Sequence, residues 1–135
     1  MNVVAFSALP DAVSARERAR REQLEASDPA VSAFVGASAG SGKTKLLTDR
    51  MLRLLLAGGP DGTGADPARI QCLTFTKAAA AEMSLRLQHR LGRWVTLSDA
   101  ELDRDLAELW IEPSPGMRAR ARALFVQVLD MPGGM

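Results

Sequence analysis

The chain has 135 residues, within the ~100–200 expected of one domain, with 47% apolar and 24% charged residues. These proportions exclude a disordered tail, a collagen-like repeat and a disulfide scaffold, and the single Cys72 cannot form an internal disulfide, which suits a reducing compartment. The formal net charge of +1 says nothing by itself about partners. Along the chain, the N-terminal MNVVAFSALPDAVSARERARR puts its charges after a short apolar stretch. A secretory signal has the opposite order, and no apolar run approaches the ~18–20 residues that span a bilayer, so the expectation is a cytoplasmic protein with no membrane partner.

Asp11 is the expected N-cap of a polar helix over residues 12–26, stopped by Asp28-Pro29 because proline disfavours helix in the residue before it. Residues 31–35 (VSAFV) read as a buried strand. After GASAGSGKT, the spacing of Leu46, Leu47, Met51, Leu54 and Leu55 predicts a helix that stops at Gly58-Gly59. Residues 58–67 (GGPDGTGADP) read as an exposed, insertion-tolerant loop, and residues 70–75 (IQCLTF) as a second strand. A helix over 77–94 follows, with Met83, Leu87 and Leu91 on one face. Ser98 with Glu101 is a capping-box pair opening a helix to about Trp110, and a last helix follows Pro113 and Pro115 to about Leu129. Strand–helix–strand–helix order predicts an α/β fold: the N-terminal portion of a parallel sheet, incomplete because two strands are too few for a sheet covered on both faces.

Charge is uneven along the chain. Residues 36–97 carry nine basic side chains (Lys43, Lys45, Arg50, Arg53, Arg69, Lys77, Arg86, Arg90, Arg93) against four acidic ones. Residues 98–112 carry six acidic groups and only Arg104 on the other side. The basic middle suits a polyanion, although solvated helix faces would give the same clustering.

The strongest chemical signal is Ala37 to Thr44, ASAGSGKT. The strict phosphate-loop pattern G-x-x-x-x-G-K-[ST] has glycine where this chain has Ala37. The rest of the physics holds. Gly40 and Gly42 let the backbone curl so that successive N–H groups face phosphate oxygens, and the helix that follows adds the positive end of its dipole. Lys43 supplies a point charge to the terminal phosphates, and the Thr44 hydroxyl is suited to ligate Mg²⁺. Further along, Thr74, Thr76 and the first N–H groups of the next helix could hold a backbone phosphate of nucleic acid. Arg86, Arg90 and Arg93 form a basic stripe behind them, which by itself also reads as a solvated face.

ASAGSGKT followed about thirty residues later by LTFTKAAAAEM (73–83) resembles the first two motifs of UvrD/Rep-type superfamily 1 DNA helicases, and most of all the N-terminal part of their AddA-type branch. Alanine at the first phosphate-loop position is usual in that family. The resemblance covers residues 20–97 well. It implies a RecA-like ATPase domain, here divided as residues 1–30 with an adenine-reading glutamine, 31–97 as the ATP-binding core, and 98–135 as a helical segment. Gln23, twenty positions before Lys43, matches the adenine reader; as a lone amide on a polar helix it otherwise reads as solvated. Ser38, Ala39, Gly40, Ser41, Gly42, Lys43, Thr44 and Lys45 would bind ATP, with Lys43 and Thr44 catalytic and Thr44 on Mg²⁺. Thr74, Phe75, Thr76 and Lys77 would contact single-stranded DNA. The family's activity is ATP-dependent 3′→5′ translocation and unwinding of DNA in double-strand-break repair, as part of an exonuclease complex with an AddB-type partner.

A motor also needs an apolar strand ending in Asp-Glu to hold Mg²⁺ and orient water. Only Val126 to Asp130 is a candidate; Gln127 interrupts it, Met131 follows it, and it reads as a helix end. Arg118, Arg120 and Arg122 allow no arginine finger to be assigned, and His89, the only histidine, reads as an exposed helical residue. The expectation is therefore a cut through a larger motor, inactive alone. The alternatives are a non-catalytic remnant that binds nucleotide weakly, or a small P-loop nucleotide kinase, for which neither an arginine-rich lid nor a third strand is found.

Overall fold

The computed structural model describes residues 12–36, 42–59 and 61–131. Among them the architecture is helical: α1 (Ala12–Ser27), α2 (Lys43–Ala57), a single 3₁₀ turn (Pro67–Arg69), α3 (Lys77–Thr96), α4 (Asp99–Glu108) and α5 (Pro115–Leu129). No strand occurs among the described residues, which corrects the α/β expectation of a parallel sheet. Residues 32–36 and 70–74 have no regular secondary structure, and no ladder pairs them. Nor is 31–35 a buried strand, since residues 31–36 are all exposed and Phe34 is 83% so. β-Branched composition favours extended backbone, but a strand exists only where a second segment takes up its N–H and C=O groups. In the second segment Ile70 and Cys72 pack against the core, while Leu73 is 84% exposed.

The helices stand where periodicity and end chemistry place them. Asp11, the expected cap of α1, lies outside the described residues. Gly42 precedes α2 in the left-handed region (φ 86°), and Gly58 ends it, donating its N–H to the Leu54 carbonyl at 2.9 Å. Thr76 caps α3, its hydroxyl accepting the Ala79 N–H at 3.1 Å. At α4 the capping box is complete: Ser98 Oγ accepts the Glu101 N–H, and the Glu101 carboxylate accepts the Ser98 N–H at 3.0 Å. α5 opens with Ser114 as cap and Pro115 in its first turn, where the missing N–H costs nothing. Val126–Leu129 is its helical end, as its spacing suggests.

One apolar cluster draws Leu52, Leu55 and Leu56 from α2, Leu87, Leu91 and Trp94 from α3, Leu102 and Leu106 from α4, and Leu124 and Val128 from α5. α3 packs against α5, and Gly92 admits the Phe125 ring, which would lie 3.3 Å from any added Cβ. α1 packs on α2. In the glycine-rich loop, residues 61–63 are exposed, but Gly64 is pinned. Its φ is +98°, and a Cβ there would collide with Arg120 and the Leu55 carbonyl. Arg120 itself donates through Nε and Nη2 to that carbonyl, at 3.0 and 2.9 Å.

The acidic segment is answered from inside the molecule. Arg118 forms a two-pronged pair with Asp103 at 2.7 and 2.9 Å, and Arg122 donates to Asp99 at 2.8 Å and to the Leu97 carbonyl. The bond from Arg118 holds the Asp103 carboxyl below its usual range, and the Ser98 N–H does the same for Glu101. Folded-state values below the unfolded ones make this stability complete above the ordinary carboxylate range and lost as pH falls through the depressed values. Asp103→Asn is therefore expected to lower Tm at neutral pH and to flatten its fall on acidification; an equally steep fall in thermal melts between neutral and acid pH would refute this.

Candidate nucleotide and nucleic-acid contacts

The first candidate contact is the start of α2. The left-handed Gly42 turns the chain into the helix, the Leu46 N–H bonds the Gly42 carbonyl at 3.0 Å, and among the described residues no side chain caps the first N–H groups. An uncapped helix N-terminus is suited to an anion. Lys43 is exposed and Thr44 half-buried, while the Thr44 carbonyl accepts the Thr48 hydroxyl at 2.8 Å. Lys45 is paired with Asp49 at 2.6 Å. Ser38, Ala39, Gly40 and Ser41 lie outside the described residues.

Gln23 is exposed on α1. Its turn of α1 is tied to the third turn of α2, because Arg53 donates to the Leu24 carbonyl at 2.9 Å and to the buried Ser27 hydroxyl at 2.7 Å. Ten helical steps of 1.5 Å separate Arg53 from Lys43, about 15 Å along the axis. Gln23 and Lys43 are thus set apart along α2 rather than side by side. Arg50, one turn nearer the start, donates to the carbonyls of Ala26, Asp28 and Val31, which fixes the chain leading out of α1.

The second candidate contact is the start of α3. The Thr74 hydroxyl donates to the Thr76 carbonyl at 2.9 Å, and Thr76 spends its own hydroxyl on the Ala79 N–H, so that N–H already has a partner. Phe75 is fully exposed and Lys77 is exposed beside it, a ring open to stacking and a cation placed to meet a phosphate. The basic stripe behind them is not uniform. Arg86 pairs with Glu82 at 2.9 Å, and Arg90 turns inward to Asp49 and Asp105 at 3.4 and 3.8 Å. His89 is exposed. Arg118, Arg120 and Arg122 are spent on α4 and on main-chain carbonyls.

Asp49, Arg50 and Arg53 carry more of this arrangement than their place in a leucine-rich helix suggests. Asp49 and Arg53 are both buried. Burial pulls the Arg53 guanidinium below its ordinary value, and its charge sits 5.7 Å from the centre of the Trp110 ring. The readable signal was their position: charged residues within the apolar run LLTDRMLRLLLA are exposed only if the helix is, and this one is covered by α1, α3 and α5.

The sequence model of the UvrD/REP helicase N-terminal domain matches residues 19–114. Among curated relatives, the AddA-type ATP-dependent helicase/nuclease of Lactobacillus gasseri is 40% identical over 73 residues, 53% of this chain and 6% of that protein. Proteins of the same name from Levilactobacillus brevis and Lactobacillus helveticus are 45% identical over 68 residues and 47% over 60, covering 50% and 44% of this chain and 5% and 4% of theirs. The matched stretch thus spans about a twentieth of those relatives. No solved structure matches.

Proposed function

The chain belongs to the UvrD/REP helicase family through its N-terminal domain, and from that premise we propose that it forms the ATP-binding opening of a DNA-translocating motor of the AddA helicase/nuclease kind. The observation that carries this reading is the start of α2: a left-handed Gly42, an uncapped helix N-terminus and Lys43-Thr44 directly upon it. Residues 31–97 make up the ATP-binding core, residues 1–30 carry Gln23 as the adenine reader, and residues 98–135 form a helical segment. Ser38, Ala39, Gly40, Ser41 and Gly42 contribute main-chain N–H groups to the phosphates. Lys43 brings a cation to the terminal oxygens, Lys45 adds a second one, and the Thr44 hydroxyl is the oxygen donor fit for Mg²⁺. ATP with Mg²⁺ supplies the free energy of movement. Thr74, Phe75, Thr76 and Lys77 hold single-stranded DNA, the ring by stacking and the cation by charge. Work on DNA breaks alongside an AddB-type partner follows from the same reading, and action on DNA puts the protein in the cytoplasm. Among the described residues, no helix is long and apolar enough to cross a membrane.

Titrating labelled ATP with Mg²⁺ into the purified chain tests the site. Lys43→Ala removes a charge-assisted bond of about 1.5–3 kcal/mol, so affinity should fall roughly 10–100-fold. Unchanged affinity would sink the reading. The chain by itself is expected to hydrolyse no ATP with or without DNA, because no apolar segment ending in Asp-Glu is present in its sequence.

A further inference from the structure

The buried carboxylate of Asp49 joins the two candidate contacts. Its side chain is 7% exposed and each oxygen meets a different cation: Oδ2 meets Lys45 Nζ at 2.6 Å, and Oδ1 meets Arg90 Nη1 at 3.4 Å. The chain of charges continues, with Arg90 Nε 3.8 Å from Asp105 Oδ2 and the same oxygen accepting the indole N–H of Trp94 at 3.1 Å. A buried carboxylate is tolerated only while it is paired, so Asp49 cannot lose one cation without leaning on the other. The two cations differ in freedom. Lys45 is 65% exposed on the first turn of α2, with a flexible stem, whereas Arg90 is 21% exposed and built into α3.

We propose that Asp49 is a positioning residue that transmits occupancy of the α2 N-terminus to α3. A polyphosphate bound at that N-terminus competes for the Lys45 ammonium. As Lys45 turns to it, the charge of Asp49 falls on Arg90 alone and draws Arg90 from Asp105 towards α2. Arg90 rides on the helix whose first residues form the Thr74–Lys77 turn, and Asp105 holds the Trp94 indole, so the change is registered across α3 and α4. This rests on the reading of the α2 start as a phosphate site.

The test follows the indole N–H of Trp94 by NMR while inorganic tripolyphosphate is titrated into the full chain. In the wild type, the indole resonance should move with the same midpoint as the main-chain amides of the first turn of α2. In Asp49→Asn, which keeps size but not charge, the α2 amides should still move and the indole displacement should be lost; Asp49→Glu should restore it. An indole that stays still at saturation in the wild type, or that moves as fully in Asp49→Asn, overturns the proposal and leaves the phosphate site standing. Amides of α2 that do not respond at all overturn the phosphate site and the proposal together. Should Asp49→Asn fail to fold, Lys45→Ala serves on the exposed side of the relay: the indole must lose its response to whatever tripolyphosphate still binds, and a retained response refutes the relay.

Discussion

Trp94→Ala is expected to remove about 3–5 kcal/mol of stability, a large part of the ~5–15 kcal/mol that holds a domain of this size. Trp94 is fully buried where α3 meets the core, and its indole N–H is spent on Asp105. Alanine leaves a cavity that the leucines around it cannot fill without moving α3, and it deprives Asp105 of its shortest bond. Trp94→Phe separates the two contributions, since it keeps most of the volume and loses only the hydrogen bond to a charged acceptor, roughly 1.5–3 kcal/mol. Urea titrations followed by helical circular dichroism should rank wild type above Trp94→Phe and Trp94→Phe well above Trp94→Ala. Equal midpoints for wild type and Trp94→Ala would mean that the core is not organised around this side chain.

The double change Arg50→Ala, Arg53→Ala is expected to release α1 while leaving the rest folded. α1 has sixteen residues, AVSARERARREQLEAS, with few apolar side chains to bury, and a helix of that length is marginal alone in water. What holds it is the pair of guanidinium groups on α2: Arg53 on Leu24 and Ser27, and Arg50 on the carbonyls of Ala26, Asp28 and Val31. Each hydrogen bond to a charged donor is worth about 1.5–3 kcal/mol, and the Arg53–Trp110 contact adds to the sum. Hydrogen exchange should show the amides of residues 16–27 losing protection while those around Leu87 and Leu91 in α3 keep theirs. Protection retained in α1 would assign its docking to apolar contact instead. Because α1 carries Gln23, the same variant should also weaken any preference for adenine among nucleoside triphosphates.

The helices were legible because their bonds are local. Leucine spacing in α2, the Ser98–Glu101 pair at α4 and Pro115 at the start of α5 each act within one or two turns, and the structure has all three. The same locality misled at residues 31–35 and 70–75. Valine, phenylalanine and isoleucine there describe a chain inclined to extend, but a sheet is a relation between distant segments, and no described segment answers either one. Of the candidate site, the α2 start and the Thr74–Lys77 turn were readable as motifs. The placement of Gln23 beside the third turn of α2 was not, because it follows from Arg53 reaching back 29 positions.

Charge shows the division most clearly. From the sequence alone came the family, the helix boundaries and the contrast between a basic middle and an acidic stretch. Only the tertiary structure decided which charges turn inward and which face the solvent. It spends Arg90, Arg118 and Arg122 on Asp49, Asp105, Asp103 and Asp99, and leaves Lys43, Lys77 and the Phe75 ring at the surface. The physical reason is range. Backbone hydrogen bonding and capping are settled within four residues, so composition and spacing reveal them, whereas ion pairing is settled by which helix faces meet once the leucines are buried.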